Sequence, residues 1–237
     1  MTIELVVFDW DGTLVDSTGR IAESLHRAAV DTGLPTLSVS RYRSIIGLGL
    51  PEALQALYPE ADEATRQVLR GHYARHYIEA TEAEPCPVYE GAHALLAALG
   101  GQGIRLAIAT GKNRPGLERA FRHSGLADYF VASRTADETA SKPHPRMLLE
   151  LLEEQRVCAS RAVMVGDTAF DLEMARRARV AAIGVTHGAH SAEELLGCAP
   201  VALVDHLSLI PPVLDRLRAG PHVTTSAQHS LSTGERP

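Results

Sequence analysis

Apolar residues along this chain follow two alternating rhythms. Short apolar runs occur at VVF (6–8), RLAIAT (105–110), AVMVG (162–166), VAAIGV (180–185) and VALV (201–204). They are too short for helices, and their Val and Ile content suits buried strands. Between them lie segments with apolar residues three and four apart: EGAHALLAAL, RPGLERAFRHSG, HPRMLLELLEEQ, AFDLEMARRA, SAEELL and LSLIPPVLDRLR. That spacing places the apolar residues on one helical face. Pro115 just inside the second of these helices and Gly125 at its end are start and stop signals. YFVAS (129–133) is a further strand candidate. Strands alternating with helices predict an α/β fold: a parallel sheet, built through right-handed crossovers and covered on both faces. Ligands of such sheets sit at the carboxyl ends of the strands.

Residues 17–84 break the alternation. TGRIAESLHRAAVDTG, SRYRSIIG, PEALQALY and ADEATRQVLRGHYARHYIEAT all read as helices, with no convincing strand among them. This stretch is expected to be a helical insertion after the first strand. Residues 219–237 hold too few large apolar side chains to form a core and read as a disordered tail.

Composition narrows the class. With 237 residues, 45% hydrophobic and 22% charged, the chain is long enough for a core domain with an insertion. A formal charge of −6 argues against a nucleic-acid or anionic-membrane surface, and no apolar run is long enough to span a bilayer. The opening residues carry no basic leader, and the three cysteines, Cys86, Cys158 and Cys198, have no CxxC spacing, so a reducing cytoplasmic setting is expected. Of 23 basic residues only Lys112 and Lys142 are lysines. Where arginine serves for general surface charge, each remaining lysine is a candidate for placing a compact ammonium in a narrow anionic site.

The chemistry-bearing residues fall at predicted strand ends. Asp9 and Asp11 follow the first strand, where i and i+2 spacing would aim both carboxylates the same way. The plainer alternative is an acidic turn. Thr110, Gly111 and Lys112 follow the second apolar run; Lys142 lies in SKPHP before a helix; Gly166, Asp167 and Asp171 follow AVMVG. In a parallel sheet these positions converge on one edge.

This set resembles the haloacid dehalogenase superfamily of phosphohydrolases: DWDGTLV is similar to its first motif, LAIAT to its second, Lys142 of SKPHP to its third and GDTAFD to its fourth. The resemblance covers residue 3 to about 218. It implies a Rossmann-like catalytic core (residues 1–16 and 85–218) with a helical cap (17–84), the arrangement of phosphoglycolate phosphatases and β-phosphoglucomutases. It further implies Asp9 as nucleophile, forming an aspartyl-phosphate, and Asp11 as general acid and base. Mg²⁺ would be held by Asp9, the Asp11 backbone carbonyl and Asp167, with Asp171 in support. Thr110, Gly111 and Lys112 would face the phosphoryl group, and Lys142 would neutralise its charge. The expected reaction is hydrolysis of a small phosphorylated metabolite by a monomer or homodimer, with 2-phosphoglycolate the leading substrate and Arg43 the candidate partner for its carboxylate. A pyrophosphatase, nucleotidase, sugar phosphatase or phosphosugar mutase stands as the alternative. A phospho-receiver module also uses acidic residues, Thr and Lys at strand ends, but is about half this length and lacks a large helical insertion.

Weaker signals carry plainer expectations. His72 and His76 lie one helical turn apart without an evident third metal ligand, and His187 and His190 are expected at the surface. GLGLPE (47–52) has Glu52 where a dinucleotide fingerprint needs its third glycine. Trp10 is expected to cover apolar surface.

Overall fold

A computed structural model of the chain describes residues 2–219. The expected tail, apart from Ala219, lies outside the described residues. The elements run β1 (Leu5–Phe8), α1 (Thr18–Thr32), α2 (Val39–Arg43), α3 (Leu50–Leu57), α4 (Glu63–Ala83), α5 (Ala92–Gly101), β2 (Arg105–Thr110) and α6 (Arg114–Ser124). There follow β3 (Ala132–Thr135), α7 (Arg146–Gln155), β4 (Ala162–Gly166), α8 (Ala169–Arg177), β5 (Ala181–Val185), α9 (Ala192–Leu196), β6 (Ala202–Val204) and α10 (Ile210–Ala219).

Among the described residues the six strands form one parallel sheet in the order β3-β2-β1-β4-β5-β6. The core is Rossmann-like. The chain steps one way from β1 to β3, then returns to the other side of β1 for β4. That reversal leaves a crevice at the carboxyl ends of β1 and β4, where connecting loops diverge.

Period-2 alternation sorts the strand residues onto two faces. Val6 and Phe8, Leu106 and Ile108, and Val163 and Val165 pack in one cluster with α5 and α10. Leu5 and Val7, Ala107 and Ala109, and Met164 pack in a second cluster with α7 and α8. Trp10 belongs to the first cluster: it is 1% exposed, with Phe121 edge-on at 5.2 Å and Phe130 at 6.4 Å. It is a core residue of the sheet layer.

Helices α1–α4 have a separate apolar cluster that includes Ile21, Leu25, Tyr42, Leu54 and Leu69. Tyr42 and Tyr58 share a hydroxyl contact of 3.0 Å inside it, and Tyr58 donates to the Pro35 carbonyl. His76 contacts Asp31 at 2.7 Å and His72 contacts Thr32 at 3.4 Å, so these histidines fasten α4 to the end of α1.

Two expectations are corrected. YFVAS is not a strand over its length, since Ala127–Tyr129 form a short 3₁₀ turn and pairing begins at Ala132. Phe130 packs against Trp10 and Phe121, and the true strand, ASRT, is a polar edge strand with one neighbour. His190 is buried rather than superficial, its ring packed on Phe170 and its Nδ1 accepting the Ala169 N–H at the start of α8. His187 is partly buried against Tyr89, at 4.2 Å between ring centres.

Replacing Trp10 by Ala removes the side chain that joins the two aromatic rings beneath the sheet edge. The expected loss is about 3–5 kcal/mol, read as a lower urea midpoint by far-ultraviolet circular dichroism, since Trp10 is the chain's one tryptophan. A midpoint equal to that of the unmodified chain would place Trp10 outside the packed core.

Candidate active site

The site lies at the crevice, and the strands position it. The Asp9 N–H extends the β1 ladder to the Val165 carbonyl, which holds the Asp9 carboxylate beside the end of β4. Gly12, with φ of +82°, then turns the chain; a Cβ there would overlap the Asp167 carboxylate. Only glycine combines that backbone conformation with so close an approach. Asp167 follows β4 directly, and Asp171 occupies the first turn of α8.

Four buried charges meet here. Lys142 Nζ lies 2.5 Å from Asp9 Oδ1 and 2.6 Å from Asp171 Oδ1, with all three side chains essentially inaccessible to solvent. Asp167 is held by Thr13 Oγ1, donating at 2.9 Å, and by the Ala189 N–H at 2.7 Å. Asp171 Oδ2 accepts from the Thr168 N–H and hydroxyl in a capping box that starts α8. Asp9 Oδ2 is buried with no hydrogen-bond partner.

Burial pushes the Asp9 carboxyl well above the usual range; Lys142 pulls it back, and neighbouring Asp171, Asp167 and Asp11 push it further up. Burial likewise raises Asp167 to about 7, with Asp171 adding to the rise and its two hydrogen bonds opposing it. Burial favours the neutral amine of Lys142, but Asp171 and Asp9 overcome this and hold the ammonium.

Asp11 belongs to a second network. Ser17 Oγ donates to its Oδ1 at 2.5 Å, and Lys112 Nζ lies 2.9 Å away. The ammonium of Lys112 also meets the Tyr77 hydroxyl at 3.2 Å and sits 5.0 Å from that ring's centre, a cation–π contact. The two carboxylates of DWD thus meet different lysines. Ser17 and Tyr77 were not among the sequence candidates. Ser17 offered only its place at the N-terminus of α1, and Tyr77 only its place on a helix.

Thr110 is buried, and its Oγ1 accepts the Lys112 N–H at 3.2 Å. Gly111 admits a close approach by the helical layer: a Cβ there would overlap the Leu48 carbonyl oxygen. Beside it the Gly49 N–H donates to Ser141 Oγ at 2.7 Å. Arg43 is placed elsewhere. Its guanidinium donates to the Gly188 carbonyl at 2.8 Å, next to the residue whose N–H holds Asp167. Arg41 points to the Ala56 carbonyl on the exposed side.

A cavity of about 270 Å³ runs from Asp9 and Asp11 past Gly111, Lys112 and Asn113 to the helical layer; Arg43 is not among its lining residues. Asp9, Asp167 and Asp171 each offer an oxygen within 4.8 Å of one another, the one such cluster among the described residues. An all-oxygen donor set of three carboxylates suits a hard divalent cation, and the net negative charge of the cluster calls for one.

Comparison with known proteins agrees with this geometry. The haloacid dehalogenase-like hydrolase family matches residues 6–185. The chain belongs to this family. It is 37% identical to a protein named probable phosphatase IndB from Dickeya dadantii, over 86% of this chain and 90% of that one. It is 33% identical to a plasmid-borne phosphoglycolate phosphatase from Cupriavidus necator, over 91% and 95%. A crystal structure described as a "predicted phosphatase" from Clostridium acetobutylicum superposes with a TM-score of 0.80 at 28% identity, covering 91% of this chain and all of that one. The similarity thus runs to the phosphoglycolate phosphatase-like members of the family, and none of the described helices is long and apolar enough to cross a membrane.

The raised Asp167 carboxyl gives a pH dependence. Its ordinary value is 3.8 and its folded value about 7, so the folded state holds the proton more tightly. Stability from this group is full below the ordinary value and is lost as pH rises through about 7. Without divalent cations, Tm should therefore be higher at pH 5.5 than at pH 8. Adding Mg²⁺ at pH 8 should raise it, and Asp167→Asn should flatten both responses. An Asp167→Asn variant that kept both in full would remove Asp167 from the cluster.

Proposed function

We propose that this enzyme is a Mg²⁺-dependent phosphatase that hydrolyses a small phosphomonoester through an aspartyl-phosphate on Asp9. The observation that carries the reading is the buried, unpartnered Asp9 Oδ2 at the inner end of the cavity, beside Lys142 and Asp167. An oxygen left without a hydrogen bond keeps its electron pair for an electrophile, and phosphorus at the cavity's inner end is the electrophile this family membership supports.

In the first step Asp9 Oδ2 attacks phosphorus and the bond to the organic oxygen breaks. Asp11 delivers a proton to that leaving oxygen. In the second step water attacks phosphorus, Asp11 accepts its proton, and inorganic phosphate and the Asp9 carboxylate are released. Ser17 and Lys112 fix the position of the Asp11 carboxyl for both transfers. The Lys142 ammonium offsets charge on Asp9 and the phosphoryl oxygens, while the Thr110 hydroxyl, whose oxygen accepts from Lys112, keeps its proton for a phosphoryl oxygen. Asp9, Asp167 and the Asp11 backbone carbonyl would hold Mg²⁺, with Asp171 in support. When bound, it would neutralise negative charge gathered between carboxylates and phosphoryl group.

Helices α1–α4 serve in this reading as a cap over the crevice, meeting the core through Gly49 and Ser141, Leu48 and Gly111, Arg43 and Gly188, and Tyr77 and Lys112. A chamber enclosed in this way takes small phosphorylated metabolites rather than phosphoproteins or nucleic acids. Several relatives are named phosphoglycolate phosphatases, which makes 2-phosphoglycolate the reference substrate.

Acid quenching during turnover of a labelled phosphomonoester with Mg²⁺ should trap one hydroxylamine-sensitive phosphoryl group on Asp9. Asp9→Asn should trap none and lose at least about 10³-fold in kcat, as expected for loss of a covalent nucleophile. Turnover by Asp9→Asn at a tenth of the unmodified rate would contradict the covalent mechanism.

A further inference from the structure

The cavity continues well beyond the space a phosphoryl group needs, and its character changes on the way. Near the sheet it meets Asp9, Asp11 and Lys112; toward the helical layer it is walled by Ile21, Leu25, Ile45, Leu50, Tyr73 and Ile78. These residues come from α1, the α2–α3 connection, α3 and α4, so three helices and a loop contribute to one apolar wall. Tyr73 and Tyr77 stack at 5.7 Å on α4, and both line the space.

Both lysines at the phosphoryl end already have carboxylate partners. Lys112 is engaged by Asp11, and Lys142 by Asp9 and Asp171. Arg70 and Arg119 also line the cavity, as do Glu52 and Asp137. Arg43, the sequence candidate for reading a carboxylate, donates to the Gly188 carbonyl and does not line the cavity. A second anionic group lying against this apolar wall would lose water without gaining a polar partner, a costly place for a charge. An apolar group there would be removed from water at no such cost.

We propose that the organic group of the substrate is uncharged and apolar, and that it fills the space walled by Ile21, Leu25, Ile45, Leu50, Tyr73 and Ile78 while the phosphoryl group meets Asp9. This rests on the phosphatase reading and narrows it: the preferred substrates are bulky apolar phosphomonoesters, ahead of 2-phosphoglycolate.

The test is a series of n-alkyl phosphates from ethyl to hexyl, measured with Mg²⁺ as kcat/KM against 2-phosphoglycolate. These are all esters of primary alcohols, so leaving-group chemistry stays nearly constant while apolar length grows. Each methylene buried should raise kcat/KM about fourfold, and hexyl phosphate should exceed 2-phosphoglycolate at least about tenfold. Leu50 and Ile78 are only partly buried, so a polar replacement there does not open a packed core. Leu50→Asn and Ile78→Asn should each lower kcat/KM for hexyl phosphate more than for ethyl phosphate. A flat or falling series in an active enzyme, or 2-phosphoglycolate as the best substrate, would overturn the inference and leave the phosphatase reading standing. If no phosphomonoester is hydrolysed, the phosphatase reading itself fails. The cavity is then read by calorimetry with hexylphosphonate and phosphonoacetate in the presence of Mg²⁺. Tighter binding of hexylphosphonate with a more negative heat-capacity change supports the apolar site, and equal or weaker binding overturns it.

Discussion

Three carboxylates and one ammonium share a buried volume where β1 and β4 end, and the remaining features of the site answer that imbalance. Two unit charges about 4 Å apart interact by roughly 4 kcal/mol at the effective dielectric of a protein's outer layers. Asp9, Asp167 and Asp171 cannot all stay ionised against Lys142 alone without help. The help is built from backbone and hydroxyl donors: Ala189 and Thr13 on Asp167, and Thr168 on Asp171. Asp9 is left with one oxygen on Lys142 and one with nothing. The cluster is therefore poised to take up either a proton or a cation, and its most reactive oxygen is the one without a partner.

The sheet order makes this cluster possible. Because β4 returns to pair with β1, the residues after each strand are neighbours although more than 150 positions separate them, as in the Thr13–Asp167 hydrogen bond. The two lysines then divide the edge between them. Lys142 is confined among carboxylates, while Lys112 links Asp11 to Tyr77 on the helical layer. That layer meets the core near the site through a few polar contacts and close glycine approaches at Gly111 and Gly47, the kind of interface that domain movement can open at modest cost.

The carboxylates and lysines were legible because each follows or precedes an apolar run, and because lysine is scarce enough in this chain for its two occurrences to mean something. What stayed hidden depended on three-dimensional neighbours. The i and i+2 rule suggested one shared direction for Asp9 and Asp11; both line the cavity, but each meets a different lysine, which no local pattern shows. The edge strand ASRT was placed too early, at YFVAS, because a strand with one neighbour need not be apolar and the adjoining aromatic pair drew the start forward. His190 looked like a loop residue because nothing local marks the return of its loop to cap α8. Arg43 shows the same limit: its charge was visible, but its acceptor, the Gly188 carbonyl, lies 145 positions away.

The most direct measurement of the central claim is proton release on Mg²⁺ binding, followed by calorimetry in buffers of different ionisation enthalpy. With the cluster balanced by protons when metal-free, Mg²⁺ binding at pH 6 should release protons. Release should diminish as pH rises through the Asp167 value of about 7. Binding heats independent of buffer at pH 6 would mean that the carboxylates are already fully ionised, and the account of the site as an uncompensated buried charge would be wrong.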